Sequence, residues 1–139
     1  MRAVELDRLL TLIGSGFDLD PAGRRTLEML PSAHRPGTLE VAARHGVTRL
    51  SAGVQSTETR LLDRVGRAPD FAPLARMMDE ARRWGIEDVN VDLAWLLPGD
   101  TEDLFFRSLA SVLDLRPTTV SVHLLAPTPL NPVFGSPEE

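Results

Sequence analysis

Four polar side chains fall at matching places in this sequence: Glu28 in TLEMLP, Gln55 in TRLSAGVQSTE, Asp92 in VNVDLAWLLPG and His123 in VSVHLLAP. Each stands near the end of a short apolar run, just before a loop. An ionised carboxylate only accepts hydrogen bonds, an amide both donates and accepts, and an imidazole does either according to its tautomer. Gathered on one surface, such groups can hold a polar ligand. Glu28 and Asp92 could also do acid–base work as a carboxylate pair, given the right separation. Any one of the four, taken singly, reads as a polar residue on a solvated edge. Four at matching positions make that the weaker reading and argue for a site.

The elements that must position them follow from periodicity. Leu6, Leu9, Leu10 and Ile13 recur at helical spacing, so the chain opens on a helix. RRTLEML, ended by Pro31, reads as a strand, and PGTLEVAARHG as a short helix between Pro36 and Gly46. TRLSAGVQS is the next strand, and ETRLLDRVGR supplies a helical turn or two. FAPLARMMDEARRWG sets Leu74, Met77, Met78, Ala81 and Trp84 on one helical face before Gly85, which makes Trp84 a core residue. DVNVDLAW is a third strand, with Trp95 bordering the site or packing under a loop. DTEDLFFRSLASVLDL is a helix capped by Asp100 or Thr101, and TTVSVHLL is the last strand. Alternation of strand and helix argues for a parallel α/β sheet or barrel. Residues 1–126 form this core, and 127–139 are a Pro-rich tail without periodicity.

Side chains of a strand alternate between faces. Leu27 and Met29, Leu50, Ala52 and Val54, Val89, Val91 and Leu93, and Val120, Val122 and Leu124 form an apolar face that should pack on the helices. The opposite face carries Thr26 and Glu28, Arg49, Ser51, Gly53 and Gln55, Asn90 and Asp92, and Ser121 and His123. Parallel strands are usually apolar on both sides. Here one face is polar throughout, so it lines a wet or ligand-filled space, with its functional end at the carboxyl ends of the strands.

Composition narrows the chemistry. The 139 residues contain no cysteine, which excludes disulfides, thiolate metal sites and cysteine nucleophiles. The net charge of -5, with acids and bases interspersed, gives no reason to expect nucleic acid. No apolar run reaches the roughly 20 residues that span a bilayer, and the N-terminus has no signal-like pattern, so a cytoplasmic setting is expected. His34, His45 and His123 lack ligand spacing, which argues against zinc. No P-loop, dinucleotide fingerprint or nucleophile elbow occurs.

TLEMLP, GVTRLSAGVQSTETRLLDRVGR and VNVDLAWLLPGDTED, in that order, resemble the middle and later part of the radical S-adenosylmethionine (SAM) core. The resemblance is to the branch of oxygen-independent coproporphyrinogen III oxidase and its heme-chaperone relatives. The corresponding patterns there are E-x-N-P, G-V-x-R-x-S-x-G-V-Q-S followed by L-L-x-x-x-G-R, and D-L-I-Y-G-L-P-G-Q-T. The resemblance implies an α/β fold in which four parallel βα units form part of a partial (β/α)6 TIM-like barrel. It further implies that Glu28, Gln55, Arg67 and Asp92 bind SAM. Glu28 would hold the methionine end, Gln55 and Arg67 would line the pocket, and Asp92 would take the ribose hydroxyls.

The departures carry as much information. The family's [4Fe–4S] cluster is held by a Cys-x-x-x-Cys-x-x-Cys loop after an earlier strand, and a Gly-rich stretch follows the next. Neither motif occurs here, so the chain alone is expected not to perform radical chemistry and to carry no catalytic residue of its own. Leu30 stands at a family asparagine, Leu96 at a family glycine and His123 at a common tyrosine. An earlier strand's absence would leave the edge near Leu27 open to a cluster-bearing chain or to a second copy of this one, unless the leading helix caps it. Two other readings compete: a degenerate, non-catalytic binding or interaction module, and an unrelated barrel enzyme using Glu28, Asp92 and His123.

Overall fold

The computed structural model describes residues 1–69 and 71–125; the Pro-rich tail lies outside the described residues. The elements are α1 (Ala3–Gly16), β1 (Thr26–Met29), a 3-10 turn (Pro31–Ala33), α2 (Thr38–Arg44), β2 (Arg49–Gln55), α3 (Thr59–Arg64), α4 (Phe71–Arg83), β3 (Asp88–Trp95), α5 (Glu102–Asp114) and β4 (Thr119–Leu124). The four strands form one parallel sheet in sequence order, β1-β2-β3-β4, and it does not close.

Register turns the alternation into two faces. Leu27, Leu50 and Val89 stand level, as do Met29, Ala52, Val91 and Val120. These side chains pack with Leu39, Val41 and Ala42 of α2, Leu74, Met77, Met78 and Ala81 of α4, and Phe105 and Val112 of α5 in one core. A second cluster joins Leu61 of α3 to Ala94, Leu97 and Leu104 at the carboxyl ends of the strands.

Two expectations about the core fail. Val122 and Leu124 belong to the apolar face of β4, yet they are 44% and 64% exposed, because no helix among the described residues lies over that end of the strand. Trp84 is 45% exposed rather than buried. Its helix stops one residue earlier, in a Schellman turn: Ile86 N–H donates to Ala81 O and Gly85 N–H to Arg82 O, with Gly85 at φ +77°. The turn takes Trp84 off the α4 face and sets it beside Gly37, Glu40 and Arg83. Trp95, by contrast, stacks on Phe105 with ring centroids 5.1 Å apart, on the helix side of the sheet.

The leading helix does not cap the sheet edge with a strand. α1 buries Leu6 and lies against α2, where Asp7 meets His45 Nε2 at 2.9 Å. Among the described residues, β2 is the single strand neighbour of β1. No helix of the described residues is long and apolar enough to cross a membrane.

Of the two cap candidates for α5, Thr101 takes the role, its hydroxyl accepting from Leu104 N–H at 3.3 Å. Thr101→Ala is expected to lower stability by about 1 kcal/mol in urea titration with an unchanged slope, and Thr101→Ser to retain it.

Candidate ligand-binding cleft

At the carboxyl ends of β1, β2 and β3 the polar face opens into a cleft of about 310 Å³, lined by Glu28, Ser51, Gly53, Gln55, Arg67 and Asp92 together with Met29 and Leu30. All four residues assigned to SAM by resemblance stand in it. His123, the fourth of the matching strand-end residues, does not line it and is 67% exposed, although its Nε2 lies 3.6 Å from Asp92 Oδ1. That is too long for a hydrogen bond.

Each position has a local cause. Gln55 follows a bulge: Gly53 stands level with Asp92, and Gln55 with Leu93, so two residues of β2 oppose one of β3. Bulges of this kind re-aim side chains beside functional sites. Gln55 sits at φ +69°, a conformation that costs a residue with a Cβ about 1–2 kcal/mol. Its amide nitrogen lies 3.4 Å from where a Cβ on Gly53 would stand, on the polar face.

Arg67 is not a loose loop residue. α3 ends in a Schellman turn in which Arg67 N–H donates to Leu62 O at 2.9 Å and Gly66 N–H to Asp63 O at 3.2 Å. Gly66, at φ +67°, is the residue that permits the turn. The guanidinium is thereby brought back over the sheet, where it donates to Gly53 O at 3.2 Å. One of its five N–H groups is thus anchored, and the others are left for a ligand.

Asp92 is the most constrained member. Ser51 Oγ donates to Oδ2 at 3.0 Å and Asn90 Nδ2 donates to Oδ1 at 2.7 Å. Asn90 also donates to Ser51 Oγ at 2.9 Å and accepts from Ser121 Oγ at 2.9 Å. Ser51, Asn90 and Ser121 were visible in the sequence as members of the polar face, but nothing in their types marks them as a unit. Only register shows that Ser51 and Asn90 are level, and that Ser121 is level with Asp92.

Glu28 and Gln55 have no hydrogen-bond or ion-pair partner among the described residues, so both present free polar groups to the cleft. In the loop between β3 and α5, away from the residues that line the cleft, burial raises the carboxyl pKa of Asp100 above its ordinary value, against backbone hydrogen bonds from Thr101, Leu96 and Leu97 that lower it.

A larger depression of about 810 Å³ lies between the 3-10 turn and α4. None of the four strand-end polar residues lines it, and its half-buried polar groups, His34 and Glu80, are paired with each other at 3.2 Å. The smaller cleft is the better candidate because unpaired polar groups converge there. The three histidines each meet a carboxylate, and no group of three metal-ligating side chains occurs among the described residues.

The radical SAM superfamily model matches residues 3–110. The chain belongs to the radical SAM superfamily. It is 29% identical over 125 residues to the heme chaperone HemW of Lactococcus lactis, a match covering 90% of this chain and 33% of that protein. It is 28% identical over 129 residues to the oxygen-independent coproporphyrinogen III oxidase of Salmonella typhimurium, covering 93% of this chain and 28% of the relative. Among solved structures, coproporphyrinogen III oxidase (HemN) from Escherichia coli, described as a radical SAM enzyme, superposes with a TM-score of 0.85 at 27% identity, over 93% of this chain and 30% of that one. The radical SAM methyltransferase TsrM of Kitasatospora setae, solved with cobalamin and a [4Fe-4S] cluster, shares the fold with a TM-score of 0.71 at 20% identity. The chain therefore spans about a third, or less, of the length of the relatives it matches.

Membership of the superfamily implies two groups, SAM and an iron–sulfur cluster, and the side chains fit them unequally. A free carboxylate, a free amide, an anchored guanidinium and a second carboxylate with open lone pairs match the donors and acceptors of a zwitterionic nucleoside. With no cysteine in the chain, the thiolates that such a cluster takes as ligands are missing.

The two family departures behave differently. Leu30 lines the cleft. Leu96 does not; it adopts φ +66°, the left-handed region natural to glycine, with its side chain 49% exposed. The leucine therefore adds no bulk to the cleft and bears backbone strain instead. Leu96→Gly is expected to relieve about 1–2 kcal/mol of that strain, offset in part by the roughly 0.5–1 kcal/mol of added chain entropy. A melting temperature raised by about 2–4 °C would show this, while Leu96→Ala, which keeps the Cβ, should give no such gain.

Proposed function

We propose that this chain is the SAM-binding portion of a radical SAM protein of the coproporphyrinogen oxidase and heme-chaperone type, acting in the cytoplasm with a polypeptide segment that carries the iron–sulfur cluster. The observation that carries the reading is the convergence of Glu28, Gln55, Arg67 and Asp92 in one cleft at the strand ends. Asp92 accepts hydrogen bonds from the paired ribose hydroxyls, which bring two donors to an acceptor with free lone pairs. Arg67, anchored on Gly53 O, turns its remaining N–H groups to the methionine carboxylate. Glu28 faces the methionine ammonium group, and Gln55 offers both a donor and an acceptor. Held by Glu28, Gln55, Arg67 and Asp92, SAM would supply the radical chemistry that gives the superfamily its name. This chain's share is to bind and orient the cofactor.

The cluster-bearing segment docks at β1. That strand is an unpaired edge among the described residues, and α1 beside it exposes Leu9 and Leu12. An open edge takes a further strand readily, and the relatives contain the length of chain needed to supply one.

Calorimetric titration of SAM tests the cleft. Asp92→Ala is expected to raise Kd at least about tenfold, since hydrogen bonds to a charged acceptor contribute about 1.5–3 kcal/mol each. A wild-type chain that binds no SAM, alone or beside a cluster-bearing polypeptide, would instead be an interaction module. Hydrogen exchange tests the edge. Outward-facing amides of Thr26–Met29 should exchange fast in the chain alone and become protected when the cluster-bearing polypeptide is added. Protection that grows with the chain's own concentration would identify a second copy as the occupant.

A further inference from the structure

We infer that Asn90 is the positioning residue of the site: aligned by Ser121 of β4 and joined to Ser51 of β2, it holds the Asp92 carboxylate as a pure acceptor aimed at a ligand that brings paired hydroxyl donors. The inference rests on the SAM reading for the identity of that ligand, and on the geometry alone for the positioning.

Asn90 is 2% exposed, beside the likewise buried Ser51, and every polar atom of its side chain is committed. Its amide can be oriented in one way only. With Nδ2 toward Asp92 Oδ1 at 2.7 Å and Ser51 Oγ at 2.9 Å, both protons are donated, and Oδ1 accepts from Ser121 Oγ at 2.9 Å. The flipped amide would press two acceptor oxygens together at 2.7 Å with no proton between them, a contact no hydrogen bond can support. Because Ser51 Oγ already accepts from Asn90, its single proton is free to go to Asp92 Oδ2, 3.0 Å away.

The result is a one-way chain of donors crossing three strands, Ser121 to Asn90, then Asn90 to Ser51 and Asp92, and Ser51 to Asp92. Two of these bonds, one from Asn90 and one from Ser51, end on the carboxylate, and no donor of the group is left over to greet a ligand. An ionised carboxylate has about four acceptor sites, and this chain occupies one on each oxygen. The sites that remain face the cleft shared with Glu28, Gln55 and Arg67. A group that only accepts hydrogen bonds finds no partner on Asp92; a vicinal diol finds two.

Ser121 gives the inference its handle, because it does not line the cleft and, though level with Asp92 on the next strand, gives its side-chain hydrogen bond to Asn90. Without its hydroxyl the amide oxygen loses its partner, and Asn90 is held only through its two donated bonds to Asp92 and Ser51. The carboxylate then turns more freely, and selectivity for hydroxyl donors falls. A network that merely staples β2, β3 and β4 together would lose stability on the same change, but it would have no reason to distinguish one ligand from another.

The experiment measures affinity for SAM and for its 2′-deoxy analogue in the wild-type chain, Ser121→Ala and Ser121→Thr, with the cluster-bearing polypeptide present if the chain alone does not bind. Alongside, it records the Asn90 side-chain amide signals by NMR. In the wild type the analogue should bind at least about tenfold more weakly than SAM. In Ser121→Ala the SAM affinity should fall about five- to tenfold while the analogue is little changed, and Ser121→Thr should restore the ratio. Equal weakening of both ligands would overturn the positioning role. Should the wild type bind neither ligand, the SAM reading falls and the amide spectrum decides the rest. Side-chain amide protons that are protected from exchange in the wild type and lose that protection in Ser121→Ala support the positioning of Asp92, and unchanged protection overturns it.

Discussion

Because Leu50 stands level with Val89, and Ser51 level with Asn90, a slip of β2 against β3 by one residue would exchange the faces of a whole strand. Leu50, Ala52 and Val54 would then point into the cleft, and Ser51 would be driven among the apolar side chains of α2 and α4. Burying Leu50 and Val54 contributes about 1.5–3 kcal/mol each, and a slip would forfeit this while forcing Ser51 into the apolar layer, so the core enforces the register. The site inherits its geometry from that enforcement. Ser51 reaches Asp92 and Asn90 because the hydrophobic layer behind them admits one alignment of the strands.

What the core cannot do is aim side chains beyond the last regular residues. There the fold turns to local devices, each with a backbone cost. The bulge before Gln55 and the left-handed conformation of Gln55 itself redirect β2 at the mouth of the cleft. The turn that ends α3 relies on Gly66 to bring Arg67 back over Gly53. Strain at Gln55 persists because the neighbouring strand and the second apolar cluster hold the backbone on either side of it. Leu96 carries a similar strain without lining the cleft, which leaves it as a cost with no compensating contact in this site.

These two layers explain which features were legible in the sequence. Period-two alternation depends only on the strand, so the polar and apolar faces, and with them Glu28, Gln55 and Asp92, could be read directly. Arg67 could not be read that way, since its place depends on a turn three-dimensional in nature, and only the motif resemblance pointed to it. Trp84 misled because helical periodicity does not say where a helix stops, and one residue past the end of α4 its face no longer applies. Val122 and Leu124 misled for a different reason. Alternation assigns a residue to a face, whereas burial requires another element to lie over that face. The hydrogen-bonded group of Ser51, Asn90 and Ser121 sits between the two cases: its members were on the correct face, but their mutual reach depends on register across three strands.

The same separation bears on how an open sheet can keep a formed site. The apolar layer is continuous from β1 to the first half of β4, and the donors that hold Asp92 come from β2, β3 and β4. None comes from β1, the strand whose outer edge is unpaired among the described residues. Glu28 is the one cleft carboxylate that β1 contributes, and it is also the one with no partner among the described residues. The acceptor for a ligand's hydroxyls is therefore built into the interior of the sheet, while the group nearest the open edge is left free. A further strand laid against β1 would complete the surroundings of Glu28 without disturbing the hydrogen bonds that orient Asp92.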